Sequence, residues 1–401
     1  MTPDPDAGRP GYLTAEKLSG KFLDTHVDEL YRCASCNYCV DAVWAERGIA
    51  HVCATLEHHQ AAPGYSGRGF IEIARALVEG VELDTDAIAE RVFTCTACGN
   101  CETLCPLGLH PAGVGQALRE ALHANDVAPA PIAAARQAIL RRGHAAEALD
   151  LPEPDAATHA PAALTVFAGC SSLGGETSEA AAVRALLVAA DIPFAWHDGR
   201  QRCCGAALES LGAVAQSHAW QQTTVERLTA ASAAQRITLG VECQQQLTRG
   251  GSESRSFVSW LLAQLEQQTL RFQPRAGTPA VSKVALFESC RLKPCTGLAD
   301  PEDEKALRAL MEHLGLEVEN AGYPNRHTLC CGAGGTLGNL QPEAAARMAE
   351  ARLAPYAALP VVTVDPRCAT HCQAATGIEV LGVARFLVRY FTCQGQQGAW
   401  G

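Results

Sequence analysis

The sequence predicts an α + α/β chain: an N-terminal α-helical domain followed by two duplicated α/β cysteine-rich domains. Three observations carry this. Residues 14 to 123 place apolar side chains at helical spacing around two dense cysteine runs. From Leu164 onward, short apolar strands alternate with helical segments. That alternation and its cysteines recur 120 to 127 residues later, which marks an internal duplication.

In the N-terminal part, Phe70 to Glu79 and Val114 to Leu122 carry the helix period. Ala124 to Ala163 is rich in Ala and Pro; a helix is expected over Ile132 to Ala148 and a domain connection elsewhere. The first α/β copy then reads as a strand from Leu164 to Ala168 ending at Cys170, a helix from Ser178 to Ala190, and a strand from Pro193 to Trp196. Cys203-Cys204-Gly205 follows, and a strand from Ile237 to Gly240 leads to Cys243. In the second copy Val284 to Phe287 leads to Cys290, Glu304 to Leu314 is a helix, and Leu316 to Val318 a strand. Cys330-Cys331-Gly332 comes next, and Val361 to Val364 runs to Cys368. Gly377 to Phe391 is expected to be an amphipathic helix packed on the core. The domain boundaries implied are 14–123, a linker at 124–163, then 164–275 and 280–393.

The chain has 401 residues, 48% of them hydrophobic and 19% charged, enough for two or three domains with sizeable cores. A net charge of −11 argues against nucleic-acid binding, which needs clustered Lys and Arg. No apolar run approaches the roughly 20 residues that span a bilayer. Met1 to Tyr12 is polar and proline-rich without an apolar h-region, so no secretory leader is expected. Nineteen cysteines at ligand-like spacing then point to a reducing cytoplasm and to metal.

Cys95-x2-Cys98-x2-Cys101-x3-Cys105-Pro106 has the spacing of a two-cluster [4Fe-4S] protein, in which the fourth thiolate serves the other cluster. Cys33-x2-Cys36-x2-Cys39 lacks a cysteine four residues on and instead meets Cys53. The expected sets are crossed: Cys33, Cys36, Cys39 and Cys105 for cluster 1; Cys95, Cys98, Cys101 and Cys53 for cluster 2. Two such clusters make an electron relay.

Each α/β copy offers a candidate metal set, Cys170, Cys203, Cys204 and Cys243, then Cys290, Cys330, Cys331 and Cys368. Adjacent cysteines rarely form a relaxed disulfide, because their Cα atoms are too close. They can ligate two irons of one cluster, and the following glycine permits a close backbone approach to sulfur. Zinc suits four thiolates equally well, and buried free thiols are the plain alternative. The duplication of the pattern weighs against free thiols and leaves metal identity open.

The full order, two ferredoxin-type motifs followed by two Cys…Cys-Cys-Gly…Cys repeats, resembles the iron–sulfur subunit of glycolate oxidase and the HdrD-like subunit of heterodisulfide reductase. The stretch Val361-Val-Thr-Val-Asp-Pro-Arg-Cys-Ala-Thr-His371 is similar to the end of the second repeat in the glycolate oxidase subunit. The resemblance covers about residues 28 to 390. It implies a helical ferredoxin-like domain beside a flavoprotein dehydrogenase subunit, with electrons passing to a quinone or other membrane-associated acceptor. It also implies two [4Fe-4S] clusters, one or two further clusters in the repeats, and a cytoplasmic location with any membrane association through partners. The alternative is a heterodisulfide reductase-like catalytic subunit that reduces a disulfide at a repeat cluster.

Two departures stand out. Thirteen residues separate Cys39 from Cys53, and Ala54 replaces proline after it, so an enlarged loop around an intact cluster is expected. Where heterodisulfide reductase repeats end in Cys-x2-Cys, the first cysteine is replaced here by Gly240 and Asp365, which favours the dehydrogenase-subunit branch.

Other signals carry less. Gly332, Gly334 and Gly335 lack the Lys-Ser/Thr of a phosphate cradle and fit a tight wrap beside Cys330 and Cys331. No dinucleotide fingerprint occurs, so flavin or nicotinamide chemistry belongs to another subunit. Cys295, Cys372 and Cys393 read as packed free thiols, although Cys372 lies one helical turn past Cys368. His51 reads as a surface-loop histidine and His371 as a neighbour of the second site or a bystander, with tuning of a cluster or proton carriage as their alternative role. Arg367, beside Cys368, reads as an exposed arginine, with raising a cluster's potential or binding an anion as the alternative.

Overall fold

The structure is a computed structural model. It describes residues 12–13, 22–41, 51–58, 62–146, 164–174, 178–199, 202–230, 235–293, 301–320 and 328–395. Cys295, the body of the Cys39–Cys53 loop and most of the expected linker lie outside the described residues. The chain divides into two compact units. The first is Met1–Ala138 with Ala207–Val214 and Gly332–Met348; the second is Ile139–Ala206, Ala215–Cys331 and Ala349–Gly401.

The first unit is helical: α1 (Val27–Arg32), α2 (Gly67–Val78), α3 (Thr85–Phe93) and α4 (Pro111–Ala124). Phe70, Ile71, Ala74 and Leu77 recur at helical spacing, so α2 buries one face, and it packs on α4. The Asp84 carboxylate caps α3 by accepting from the Ala87 N–H at 2.8 Å. Pro111 opens α4, where a missing N–H costs nothing. Farther on, the helix expected from Ile132 runs Ala130–Arg142 and is α5.

The rest of the chain holds two copies of one α/β pattern, most of which falls in the second unit. In the first, β1 (Leu164–Ala168), α6 (Glu179–Ala189) and β2 (Phe194–Asp198) precede the paired cysteines. After them come α7 (Val214–Ala230), β3 (Gln235–Thr238), α8 (Val241–Arg249), β4 (Arg255–Ser256), α9 (Phe257–Glu266) and β5 (Leu270–Pro274). The second copy repeats this with β6 (Lys283–Leu286), α10 (Pro301–His313) and β7 (Glu317–Asn320). It continues through α11 (Pro342–Leu353), β8 (Val361–Thr363), α12 (Pro366–Thr376), β9 (Val380–Gly382), α13 (Val383–Tyr390) and β10 (Phe391–Gly395).

The sheets have the same order, β2-β1-β3-β4 and β7-β6-β8-β9, with every neighbouring pair parallel. The central strand β1 is buried at all five residues, as the unbroken run Leu-Thr-Val-Phe-Ala requires of a strand covered on both faces. One apolar core runs through both copies and includes Val166, Ile237 and Trp260 of the first with Leu286, Met311 and Phe386 of the second.

The copies also cap each other's helices. Glu179, at the start of α6, accepts from the Ala384 and Arg385 N–H groups at the start of α13, at 2.7 and 3.3 Å. Asp303, in the first turn of α10, accepts from the Ser256 and Ser259 hydroxyls at the start of α9. Since α6 corresponds to α10 and α9 to α13, the exchange is reciprocal, as two halves related by an approximate two-fold require.

One expected element divides. The helix proposed from Gly377 to Phe391 is α13 alone, preceded by β9 and followed by β10, which pairs antiparallel with β5. The β-branched and aromatic residues at both ends favour strand. Its expected packing face is present: Val383, Ala384, Phe386 and Leu387 are buried. Among the described residues no helix is long and apolar enough to cross a membrane.

Candidate cluster sites

Two turns in the first unit share one backbone design. In Cys33–Cys39, which follows α1, Ser35 and Asn37 have φ of 50° and 66°; in Cys95–Cys101, which follows α3, Ala97 and Gly99 have φ of 52° and 74°. The left-handed residues therefore fall just before and just after the middle cysteine of each turn. Alternating right- and left-handed residues turns successive N–H groups inward, a concavity suited to negative charge such as thiolates and sulfide. Consistent with that, the Ala97 N–H donates to Cys95 Sγ at 3.3 Å and the Leu109 N–H to Cys105 Sγ at 3.4 Å.

The thiols gather into crossed sets. Cys33, Cys36, Cys39 and Cys105 line one cavity with Arg68, Ile71 and Pro111. Burial pushes the Cys39 thiol up to about 11, with Cys33, Cys105 and Cys36 adding to it. Burial likewise raises Cys53 to about 12, with Cys98 and Cys95 as its charged neighbours. Cys101 is raised by burial first, then by Glu102, Cys95, Cys98 and Cys53. Crowded, dehydrated thiols resist ionisation alone, and a cationic iron core reverses the balance in favour of thiolate. The donor sets fit that group.

The supports are local. Gly67 opens α2 where a Cβ would stand 2.7 Å from the Cys101 Cβ, so glycine permits that approach. The Glu102 carboxylate accepts from the Ala112 and Gly113 N–H groups at 3.0 and 3.1 Å, tying the second turn to α4. At the other turn Arg68 is held by Glu72 at 2.6 Å and donates to the Asn37 side chain, placing a cation at the rim of the first cavity. The long Cys39–Cys53 loop closes at its neck, where Val52 N–H donates to Val40 O at 3.0 Å and Asp41 bridges His51. His51 is a half-buried neck residue, its Nδ1 3.8 Å from the Asp41 carboxylate.

Behind Cys95 the structure departs from expectation. Gly332 does make a tight turn, with φ of 96° and a would-be Cβ only 2.5 Å from Ala345 O. Gly334 and Gly335, expected to wrap beside Cys330 and Cys331, instead lie against the second cluster turn: Cβ atoms there would stand 2.7 Å from Thr96 O and 2.2 Å from Cys95 O. Thr336 follows, its hydroxyl donating to Phe93 O. Buried Arg119 reaches the same backbone, donating to Val92 O at 2.9 Å, Cys95 O at 2.6 Å and Ser210 O at 3.0 Å. Sequence reading missed Arg119, because a single Arg in an amphipathic helix resembles any solvated one.

In the second unit each cysteine set sits at the carboxyl ends of the central strands, where parallel α/β sheets place their chemistry. Cys170 follows β1 and Cys243 lies in the first turn of α8; Cys290 follows β6 and Cys368 lies in the first turn of α12. All eight thiols are buried. In the first copy they form a chain: Cys203 lies between Cys170 and Cys204, and Cys204 Sγ is 3.4 Å from Cys243 Sγ. In the second, Cys331 Sγ is 3.4 Å from Cys368 Sγ, with Cys290 also beside Cys368. Cys330 is fully buried next to Cys331. Among the described residues no group of three or more His, Cys, Asp or Glu side chains forms a ready single-ion site.

Further side chains flank these sets. His371 Nε2 lies 3.0 Å from Cys331 O, so it adjoins the second set. Arg367, expected to be exposed, is ion-paired with Glu242, and Arg291 joins the same carboxylate at 2.8 Å. Burial opposes that charge, but Arg367 and Arg291 more than reverse it and hold the Glu242 carboxyl at about 2. Sequence reading also missed Glu242 and Arg291, although each adjoins a candidate ligand cysteine. Cys372 is buried on α12, and Cys393 on β10 is half-buried.

Comparison with known families fits this architecture. A 4Fe-4S dicluster domain profile matches residues 29–109, and a cysteine-rich CCG domain profile matches residues 164–248 and again 284–373. A search of curated proteins gives no significant match. The chain is thus an iron–sulfur protein that joins a dicluster domain to two CCG domains. These matches agree with the resemblance, read from the cysteine order, to iron–sulfur subunits of the glycolate oxidase and HdrD-like type, and domains of this kind suggest electron transfer.

Proposed function

We propose that this chain is the iron–sulfur electron-transfer subunit of a multi-subunit oxidoreductase. A flavoprotein dehydrogenase acting on a 2-hydroxy acid such as glycolate or lactate supplies electrons, and a quinone or other carrier receives them. In this reading residues 14–123 carry two [4Fe-4S] clusters, ligated by Cys33, Cys36, Cys39 and Cys105 and by Cys95, Cys98, Cys101 and Cys53. The cysteine-rich domains, 164–275 and 280–393, add one or two further clusters. The complex works in the cytoplasm and meets a membrane only through its partners.

The observation that supports this most is the gathering of eight N-terminal thiols into two crossed sets, each with one sulfur accepting a backbone N–H. Clusters change oxidation state; the protein sets their potentials through burial, nearby charge and hydrogen bonds to sulfur. Here those levers are the Arg68 cation and the Ala97 and Leu109 N–H groups.

Anaerobic purification with iron and sulfide analysis tests the reading. At least about eight irons per chain are expected, with a visible spectrum bleached by dithionite and a flavoprotein companion in native preparations. Stoichiometric zinc in colourless protein overturns it. Turnover of a disulfide by the isolated, cluster-loaded chain transfers the assignment to the reductase alternative.

A further inference from the structure

The two CCG domains are duplicates, yet the charges beside their cysteines differ. Glu242 precedes Cys243 in the first copy, and the corresponding residue before Cys368 is Arg367. Ser171 follows Cys170, and the corresponding residue after Cys290 is Arg291. These positions meet, because α8 packs on the turn Cys290–Leu292 while α12 packs on the turn Cys170–Ser172. At the approximate two-fold, corresponding residues face each other, and identical charges there would repel. This chain instead has an anion from one copy gripped by two cations from the other: Arg291 Nε and Nη2 lie 3.1 and 2.8 Å from Glu242 Oε1, and Arg367 pairs with Oε2. The side chains are 13% (Glu242), 19% (Arg291) and 29% (Arg367) exposed, shielded enough from water for their fields to reach adjacent sulfurs.

We infer that this triad makes the two cysteine sets electrically unequal, so that the second takes up an electron more readily than the first. The inference rests on the reading of both sets as cluster sites. Gaining an electron adds negative charge, which a neighbouring cation favours and a neighbouring anion opposes. The first set has Glu242 beside Cys243; the second has Arg291 beside Cys290 and Arg367 beside Cys368. Arg367 also faces Cys170, so its influence is shared. Asp365 faces Cys368 and opposes the arginines, while accepting from Ser289 Oγ at 2.9 Å and the Arg367 N–H at 3.0 Å. Glu288 and Lys293, buried two residues before and three after Cys290 where the first copy has Ala168 and Leu173, add one acidic and one basic side chain that offset each other. Arg291 and Glu242, each next to a cysteine of one set, are the charges on which the difference rests. The step is a bare electron transfer: the first site is oxidised by one electron, the second reduced by one, and no bond or proton moves. The reductant that replenishes the first site is a reduced iron–sulfur cluster of the dicluster domain.

The test is an EPR-monitored redox titration of the full, anaerobically purified chain, with iron counted on every sample. Cys243→Ser and Cys290→Ser assign the signals beyond those of the dicluster domain. The Cys290-dependent signal is expected at the higher potential. Arg291→Met should lower it by about tenfold in the reduction equilibrium constant, 59 mV for one electron, and leave the Cys243-dependent signal in place. Arg291→Lys should restore it, which loss of packing alone would not predict. Glu242→Gln should raise the Cys243-dependent potential, an independent check should the Arg291 variants lose iron. A higher-potential Cys243 signal, or full iron content with unmoved potentials, overturns the inference alone. Iron at only the dicluster complement overturns the cluster reading of the repeats and the inference with it.

Discussion

The dicluster turns and the CCG sites use the same donor atom and hold it by opposite strategies. In Cys33–Cys39 and Cys95–Cys101 the backbone does the work within seven residues, placing a left-handed residue on either side of the middle cysteine. In the CCG domains each set is drawn from three places up to 78 residues apart, Cys290 to Cys368 for example, and brought together by strand order. The first device tolerates an open site: Cys36 is exposed and its companions half-buried, whereas all eight CCG thiols are buried. A short-range wrap thus builds a site near the surface, and topology builds a dry one. The two should fail differently.

The largest difference is expected on removing one ligand. Cys105→Ser should disrupt the set built from Cys33, Cys36 and Cys39 and spare its sequence neighbours Cys95, Cys98 and Cys101. Alkylation read by mass spectrometry checks this: Cys33, Cys36 and Cys39 should become reactive, the other three stay protected, and about four irons be lost. Labelling of Cys95, Cys98 and Cys101 instead would show that the sets are not crossed. The second expected effect falls on the topological sites. Glu242→Ala leaves two partly shielded guanidinium groups without their shared carboxylate and should cost about 1–3 kcal/mol, seen as a lower unfolding midpoint. Arg68→Ala at the open first cavity, a partly exposed pair, should cost no more than about 1 kcal/mol.

The same contrast explains what is legible in the sequence. Cys95-x2-Cys98-x2-Cys101-x3-Cys105-Pro106 encodes its geometry locally, so spacing alone predicts the crossed sets. The repeat is also legible, since β1, β3, β6 and β8 each end just before a cysteine. The pairing across the approximate two-fold is not. Glu179 and Asp303 look like ordinary acids in first helical turns, and their roles emerge only when α13 and α9 start opposite them. Arg367 reads as exposed for the same reason, because its partner Glu242 lies 125 residues away in sequence. Gly334 and Gly335 read as neighbours of the nearest cysteines in sequence, whereas they pack on Thr96 and Cys95.

Glu179 adds a pH dependence confined to the duplicated half. Burial raises its carboxyl from the usual 4.5 to about 7, even with the opposing Ala384 and Arg385 N–H bonds. A raised folded-state value in an acid means that the folded chain holds the proton where the unfolded chain has released it. Stability from this group therefore falls as pH rises from about 5 to 7, by about 3 kcal/mol in all, and is level on either side. Glu179→Gln should flatten that part of the unfolding midpoint–pH curve. An unchanged slope would show that the carboxylate is ionised throughout the window.

The left-handed positions bear most directly on the two strategies, and the smallest effect among them is expected at Ala97. Left-handed positions in the dicluster turns are occupied by Ser35, Asn37 and Ala97 as well as Gly99, so those turns need a backbone angle and nothing more. Gly205 and Gly332 need that angle and the empty space as well: at φ of 91° and 96°, a Cβ would stand 2.6 Å from Ser217 O and 2.5 Å from Ala345 O. Gly205→Ala and Gly332→Ala should each cost about 2–3 kcal/mol, from left-handed strain plus the displacement of a helix backbone. Ala97→Gly should be neutral or stabilising by up to about 1 kcal/mol, because relief of left-handed strain in the fold is offset by the freer unfolded chain. Unfolding midpoints for the three variants decide it. Equal losses at Ala97 and Gly332 would mean that both kinds of turn are fixed by packing, and the local wrap would no longer account for the dicluster sites.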